Sequence, residues 1–365
     1  MEPTRILVKE VNWLGDIVMS LPALRAVRAA YPQAHLAILI KQELASFFDG
    51  AGWINEVLPY RLGRGLLTRM ADRRRIAADL RTRKFDLAIL FPNSFDAALW
   101  PFLAGIPRRV GYARDARGLL LSSKTRPTPE ILEVHQVHYY LHMLRETLGI
   151  ESPPLDKRGA RGGSQAYPSA ASLPPALYAP DVHAASAAKM RVFLEQRRKR
   201  PAGPLLSLAV AAAYGPAKEW PAEHFARLID LLAERHGAEC VLVGAPGERR
   251  KAEEVAAKSR AGAIVAAGET SVGEALALLS LCSGFAGNDS GSMHVAGALS
   301  LPTVGIFGST RADRTGPLGP RTKILHKPIE CSPCLKRTCR FGHYECLKRI
   351  TPEDVVRALA DLKAL

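Results

Sequence analysis

Residues 5 to 30, RILVKEVNWLGDIVMSLPALRAVRAA, decide how the chain is to be read. Arg5 to Lys9 is a short aliphatic run closed by polar ends, which reads as a buried strand. Ile17 to Ala30 carries apolar residues at helical spacing, and Asn12 to Asp16 supplies the polar turn between the two. Strand, turn and helix in that order open an α/β domain.

The same alternation continues outward. Leu36 to Ile40 and Leu87 to Phe91 are further apolar runs separated by amphipathic stretches, the pattern of a parallel sheet covered by helices. From Glu151 to Pro180 the chain reads ESPPLDKRGARGGSQAYPSAASLPPALYAP, whose breakers exclude a long regular element and predict a linker. Strand-like runs then resume at Leu205 to Ala211, Cys240 to Gly244, Ala263 to Ala267, Gly284 to Gly287 and Thr303 to Phe307. Thr351-Pro352-Glu353-Asp354 supplies an N-cap, a first-position proline and first-turn acids for a terminal helix. The expected division is 1–175 for a first domain, with its linker from about 151, 176–350 for a second, and 351–365 for the closing helix.

Bulk properties agree with two domains. A chain of 365 residues exceeds the roughly 250 to 300 at which single cores stop growing. With 47% apolar and 23% charged residues it has a globular composition. The net charge of +15 draws phosphates, anionic lipid or nucleic acid. No aromatic RNA motif, zinc-finger helix or helix-turn-helix signature accompanies the basic residues, so phosphorylated lipid is the expected partner and nucleic acid is not. The N-terminal residues lack a secretory-signal pattern, and no apolar run approaches the ~18 residues of a spanning helix. A cytoplasmic protein, peripheral at the cytoplasmic face of the inner membrane, is the expectation.

Three turns carry candidate chemistry. GxGxxG is absent, which removes the main support for hydride transfer. Gly287-Asn288-Asp289-Ser290-Gly291-Ser292-Met293-His294 follows an apolar run and precedes a helical segment, so free N–H groups and the helix dipole would meet an anion there. The same turn equally fits a capped helix start. Tyr214-Gly215-Pro216-Ala217-Lys218-Glu219-Trp220-Pro221 puts a lysine at another strand exit, as a phosphate ligand or a solvated surface charge. Trp13-Leu14-Gly15-Asp16 sets a carboxylate at the sheet edge where α/β proteins bind ligands; Asp16 equally fits an N-cap.

VNWLGDIVMSLPALRAVRAAYP, YGPAKEWP and GNDSGSMHVAGAL, in that order, resemble the ADP-heptose transferases of lipopolysaccharide core assembly, glycosyltransferase family 9. The likeness covers nearly the whole chain outside the linker. GPAK-x-W with a C-terminal cysteine cluster resembles the heptosyltransferase II branch more than heptosyltransferase I. The resemblance implies a GT-B fold: two Rossmann-like domains with parallel sheets facing across a cleft, donor nucleotide on the C-terminal one, acceptor on the N-terminal one. It implies an inverting, metal-independent transfer of L-glycero-D-manno-heptose from ADP-heptose to the first heptose of heptosyl-Kdo2-lipid A, without a cofactor. Asp16 would be the general base. Lys218, Asp289, Ser290, Gly291, Ser292 and His294 would hold the diphosphate, and Glu248 the ribose. By charge alone, Lys9, Arg61, Arg64, Arg108, Arg109 and Arg114 either face the acidic acceptor and the inner leaflet or belong to solvated surface. One departure is the AVAAA of Ala209 to Ala213, where the family pattern has Pro-Gly before the lysine.

Cys331, Cys334, Cys339 and Cys346 form C-x2-C-x4-C-x6-C, able to bind a structural zinc or to stay reduced or partly paired. Rival functions are a heptosyltransferase with a different acceptor, a UDP-sugar epimerase, and a non-catalytic polyanion or nucleotide-sugar binder.

Overall fold

Short aliphatic runs with polar ends produce most of the strands in the computed structural model, which describes residues 2–151 and 173–365. The chain forms two units, Met1–Tyr178 and Ala179–Leu365. Residues 152–172 of the expected linker lie outside the described residues.

The first unit contains β1 (Arg5–Lys9), β2 (His35–Lys41), β3 (Glu56–Tyr60), β4 (Leu87–Leu90), β5 (Arg108–Tyr112) and β6 (Ser123–Thr125). They form one sheet in the order β3-β2-β1-β4-β5-β6, every pair parallel. The second unit contains β7 (Leu205–Ala209), β8 (Glu239–Leu242), β9 (Ile264–Val265), β10 (Gly284–Asn288), β11 (Thr303–Phe307) and β12 (Thr322–His326). Their order, β12-β11-β10-β7-β8-β9, is the same wiring read from the other edge, again wholly parallel. Both are therefore Rossmann-like sheets, and each reverses its strand order once, between β1 and β4 and between β7 and β10. Ligands of such sheets bind outside the carboxyl ends of the strands at that reversal.

Helices on both faces explain the unbroken burial of the central strands. Leu7, Leu39, Leu58, Leu90 and Trp100 share one core, while Leu206, Leu208, Val304 and Ile306 share another with Trp220 and Phe225. The terminal helix Pro352–Asp361 packs on the helix Ala222–His236. Its start is a capping box: Asp354 N–H donates to Thr351 Oγ1 at 3.2 Å, and Thr351 N–H donates to the Asp354 carboxylate at 3.0 Å. Among the described residues no helix is long and apolar enough to cross a membrane.

Candidate active site

In the second unit, β7 and β10 lie side by side at the reversal point and approach closely. A Cβ on Gly287 would meet the Ala209 carbonyl oxygen at 2.8 Å, so only glycine fits there. The two strand exits then converge. Asn288 Oδ1 accepts from Trp220 N–H at 2.9 Å, and the fully buried Trp220 ring donates to the Ile350 carbonyl at 2.9 Å. Lys218 Nζ pairs with Asp289 Oδ2 at 2.5 Å, and Thr310 Oγ1 donates to the same oxygen at 2.6 Å. The Tyr214 ring lies 4.8 Å from the Lys218 ammonium.

The lysine turn is braced from the far side by the cysteine-rich segment. Arg337 presents its carbonyl to Ala217 N–H at 3.0 Å, Tyr214 Oη donates to the Leu335 carbonyl at 2.8 Å, and Leu335 N–H donates to the Ser309 carbonyl at 2.7 Å. Gly215, at φ +139°, leaves no room for a Cβ against the Arg337 carbonyl. Lys218 is thus held in place before any ligand arrives.

After β10 the helix Gly291–Ala298 begins, with Ser290 at its N-cap making no side-chain cap bond. Its first-turn N–H groups lack intrahelical partners by geometry. Asn288 Nδ2, Ser290 Oγ, His294 Nδ1 and Ser309 Oγ are all buried without a hydrogen-bond partner among the described residues. Buried polar groups of this kind are rare in folded proteins, and here four come from the two adjacent strands β10 and β11 and the segments that follow them. Burial pushes the His294 imidazole down to about 4, with Asp289 opposing and Lys218 reinforcing the shift, so the ring is neutral at physiological pH. Such a ring offers a hydrogen bond to a ligand but no charge.

Glu248 lies one strand over, in a single turn Pro246–Glu248 beyond β8. Its Oε2 accepts from Ala245 N–H at 2.7 Å, and burial, then the neighbouring Glu219, raise its carboxyl above the usual range.

In the first unit, the helix after β1 spans Leu14–Ala30, three residues earlier than expected. Trp13 is the N-cap residue, and Asp16 sits inside the first turn, so the capping alternative for Asp16 does not hold. Its carboxylate gains from the helix dipole there and stands at the reversal point of this sheet. Glu10 ends β1 fully buried, accepting from Val11 N–H at 2.8 Å and Ser20 Oγ at 3.0 Å while Oε2 has no partner. Burial pushes Glu10 up to about 7.

The basic residues expected at the acceptor are not brought together. Lys9 is buried, its ammonium donating to the Glu10 carbonyl at 2.6 Å beside the Tyr60 ring, and burial lowers it to about 7. Arg108 and Arg109 open β5 at the amino edge of the sheet, opposite Asp16. Arg109 is committed to carbonyls, donating to Leu120 at 2.6 Å and to Ile106. Arg61, Arg64 and Arg114 are exposed beyond the carboxyl ends of β3 and β5. Sequence reasoning missed Arg117, wholly buried and donating to the carbonyls of Tyr112 at 2.8 Å, Leu90 at 3.3 Å and Pro92, where it ties off the ends of β4 and β5. It missed Glu10 and Thr310 as well; only Glu10 left a signal, a charge between Lys9 and Val11 directly after an aliphatic strand.

Cys331, Cys334, Cys339 and Cys346 are unpaired, and burial, then the other three thiols, raise Cys346. Cys331 Sγ lies 4.0 Å from His343 Nε2. Among the described residues no group of three His, Cys, Asp or Glu side chains is arranged to hold a metal ion.

Comparison with known proteins agrees with these two Rossmann-like units. Lipopolysaccharide heptosyltransferase 2 of Escherichia coli is 30% identical over 369 residues, covering 99% of this chain and 98% of the relative. The solved structure of the E. coli ADP-heptose LPS heptosyltransferase II superimposes with a TM-score of 0.79 at 27% identity, covering 98% of each chain. A glycosyltransferase family 9 structure from Veillonella parvula gives a TM-score of 0.80 at 21% identity over 98% of this chain and 97% of its own. The fold is accordingly GT-B. Residues 73–345 match the profile of glycosyltransferase family 9 (heptosyltransferase), and with that span and that identity the chain belongs to this family of glycosyltransferases.

Proposed function

We propose that this enzyme transfers L-glycero-D-manno-heptose from ADP-heptose to the first heptose of heptosyl-Kdo2-lipid A, inverting the anomeric centre. One observation carries the reading. Four buried polar atoms without partners, Asn288 Nδ2, Ser290 Oγ, His294 Nδ1 and Ser309 Oγ, gather near a braced Lys218 and a helix start. That is what a site shaped for a nucleoside diphosphate requires.

The chemistry follows from the groups present. An acceptor hydroxyl oxygen attacks the anomeric carbon and its proton passes to Asp16. The bond from that carbon to the diphosphate breaks, and both electrons leave with ADP. Free aspartate has a pKa near 3.9, so it is a weak base toward an alcohol; transfer is late and position supplies most of the advantage. Charge developing on the departing diphosphate meets the Lys218 ammonium and the N–H groups from Ser290 to Ser292, groups fixed beforehand and therefore effective. Neutral His294 adds a hydrogen bond without competing for that charge. Glu248 accepts from the ribose hydroxyls. Arg61, Arg64 and Arg114, on the same sheet edge as Asp16, meet acceptor phosphates.

Incubation with ADP-heptose and heptosyl-Kdo2-lipid A, followed by mass spectrometry, should find one added heptose. Competition by ADP but not UDP is expected. Absence of product with both substrates intact would overturn the assignment. A lipid acceptor places the enzyme at the membrane's cytoplasmic face.

A further inference from the structure

The helix Leu66–Thr82 is only half supported. Its inward stripe runs through positions 66, 70, 73, 77 and 80, spaced four and three residues apart as one helix face requires. In the second half this stripe does what it should: Ala77 and Leu80 are buried, as is Ile76 at its margin. At its middle Arg73 ties the helix to the body, its guanidinium meeting the Asp96 carboxylate at 2.6 Å. Beyond it the stripe continues with large apolar side chains left exposed among the described residues. Leu66 is 73% exposed, Leu67 81% and Met70 41%, while Phe95, next to Asp96 on the adjoining helix, is 45% exposed.

This overhang is built, since Gly63 N–H donates to Asp72 at 2.9 Å and fixes the path of the chain into the helix. It is also strongly cationic. Residues 61–84 hold nine basic side chains, eight Arg and one Lys, against two acidic ones, Asp72 and Asp79. Apolar side chains bare on one face with arginines around them are unfavourable in water and suited to the head-group layer of an anionic bilayer. There the leucines enter the acyl boundary and the guanidinium groups remain among phosphates. The helix starts where the chain leaves the carboxyl end of β3, the edge of the sheet that also carries Asp16.

We infer that the first two turns of the helix Leu66–Thr82, through Leu66, Leu67 and Met70 with Phe95 beside them, insert into the surface of an anionic lipid bilayer, with Arg69 and Arg74 engaging its head-group phosphates. The inference rests on the reading of a membrane-borne acceptor and says which surface meets the membrane.

Flotation with vesicles tests it. The full chain should float with phosphatidylglycerol/phosphatidylethanolamine vesicles and stay behind with phosphatidylcholine alone. Leu66→Ser/Leu67→Ser/Met70→Ser should weaken vesicle partitioning at least about tenfold by loss of apolar insertion. The same variant should transfer heptose normally to a deacylated, water-soluble acceptor, a result that stands or falls with the enzyme's activity and not with lipid binding. Arg69→Glu/Arg74→Glu, which alters exposed positions only, should abolish the preference for anionic vesicles and serves if the triple variant does not fold. Unchanged flotation of either variant would overturn the inference. So would light scattering that finds a dimer of the full chain, broken by the triple variant, because the patch would then be a contact between copies.

Discussion

Replacing Lys218 by Met keeps the aliphatic stem and removes the ammonium that pairs with Asp289 at 2.5 Å. The Asp289 side chain is only 4% exposed, so its charge is left with the Thr310 hydroxyl and little water. Breaking a buried pair from one side costs about 3 kcal/mol, most of it the stranded charge. Lys218→Met should therefore lower stability by about that amount and also slow transfer. Adding Asp289→Asn removes the stranded charge and should restore stability to within about 1 kcal/mol. Catalysis separates the two roles of the lysine. If Lys218 meets the leaving diphosphate, single-turnover transfer by the double variant stays about 10² to 10³ below that of Asp289→Asn alone, which keeps the ammonium. Urea denaturation and rapid-quench transfer from ADP-heptose give the two readouts. Recovery of transfer together with stability would show that the lysine exists only to neutralise Asp289, and the proposed donor site would fall.

Asp16→Asn should depress turnover by about 10² to 10⁴ with ADP affinity intact, and cost at most about 1 kcal/mol of stability through the helix dipole. Near-normal transfer would sink the base assignment. His294 takes its proton near pH 4 in the folded chain and near 6.5 when unfolded, so the stability it lends is whole above pH 6.5 and is lost as pH falls toward 4. Between pH 7.5 and 5 the loss is about 2 kcal/mol, and urea titrations of His294→Gln should lack it; equal slopes would disprove the shift. Chelation with EDTA should leave initial rates unchanged, and restoration by magnesium of a lost rate would contradict charge neutralisation by Lys218 and the helix start.

What the sequence disclosed follows from how local each signal is. Aliphatic central strands were legible, whereas β3, β6 and β12 lie on sheet edges and carry Pro59, Lys124 and Lys323, and β5 opens with two arginines, so none forms an apolar run. The Thr351 cap was legible because donor and acceptor are three residues apart. The helix after β1 begins on Trp13, which is no capping residue, so its start was placed too late. Asp289 and Lys218 announced themselves in separate turns. Their pairing did not, because it depends on β7 lying beside β10. Glu10 and Arg117 are ionisable groups inside the fold, and their placement is fixed by carbonyls and hydroxyls far away in the chain or across a turn.

The brace on the lysine turn has an evolutionary corollary. On its own side the hydrogen bonds named above are made by main-chain atoms, the carbonyls of Leu335 and Arg337 and the Leu335 N–H, and one side-chain contact joins them, the Arg337 guanidinium 5.3 Å from the centre of the Tyr214 ring. Main-chain donors and acceptors are common to almost all amino acids, so these hydrogen bonds do not fix the identities of residues 335 and 337; what does is the Arg337 guanidinium on the Tyr214 ring and the positive φ of +56° at Leu335. Comparing relatives column by column would then understate how far this stretch is constrained, and a deletion of one residue within it would harm donor binding more than most substitutions there.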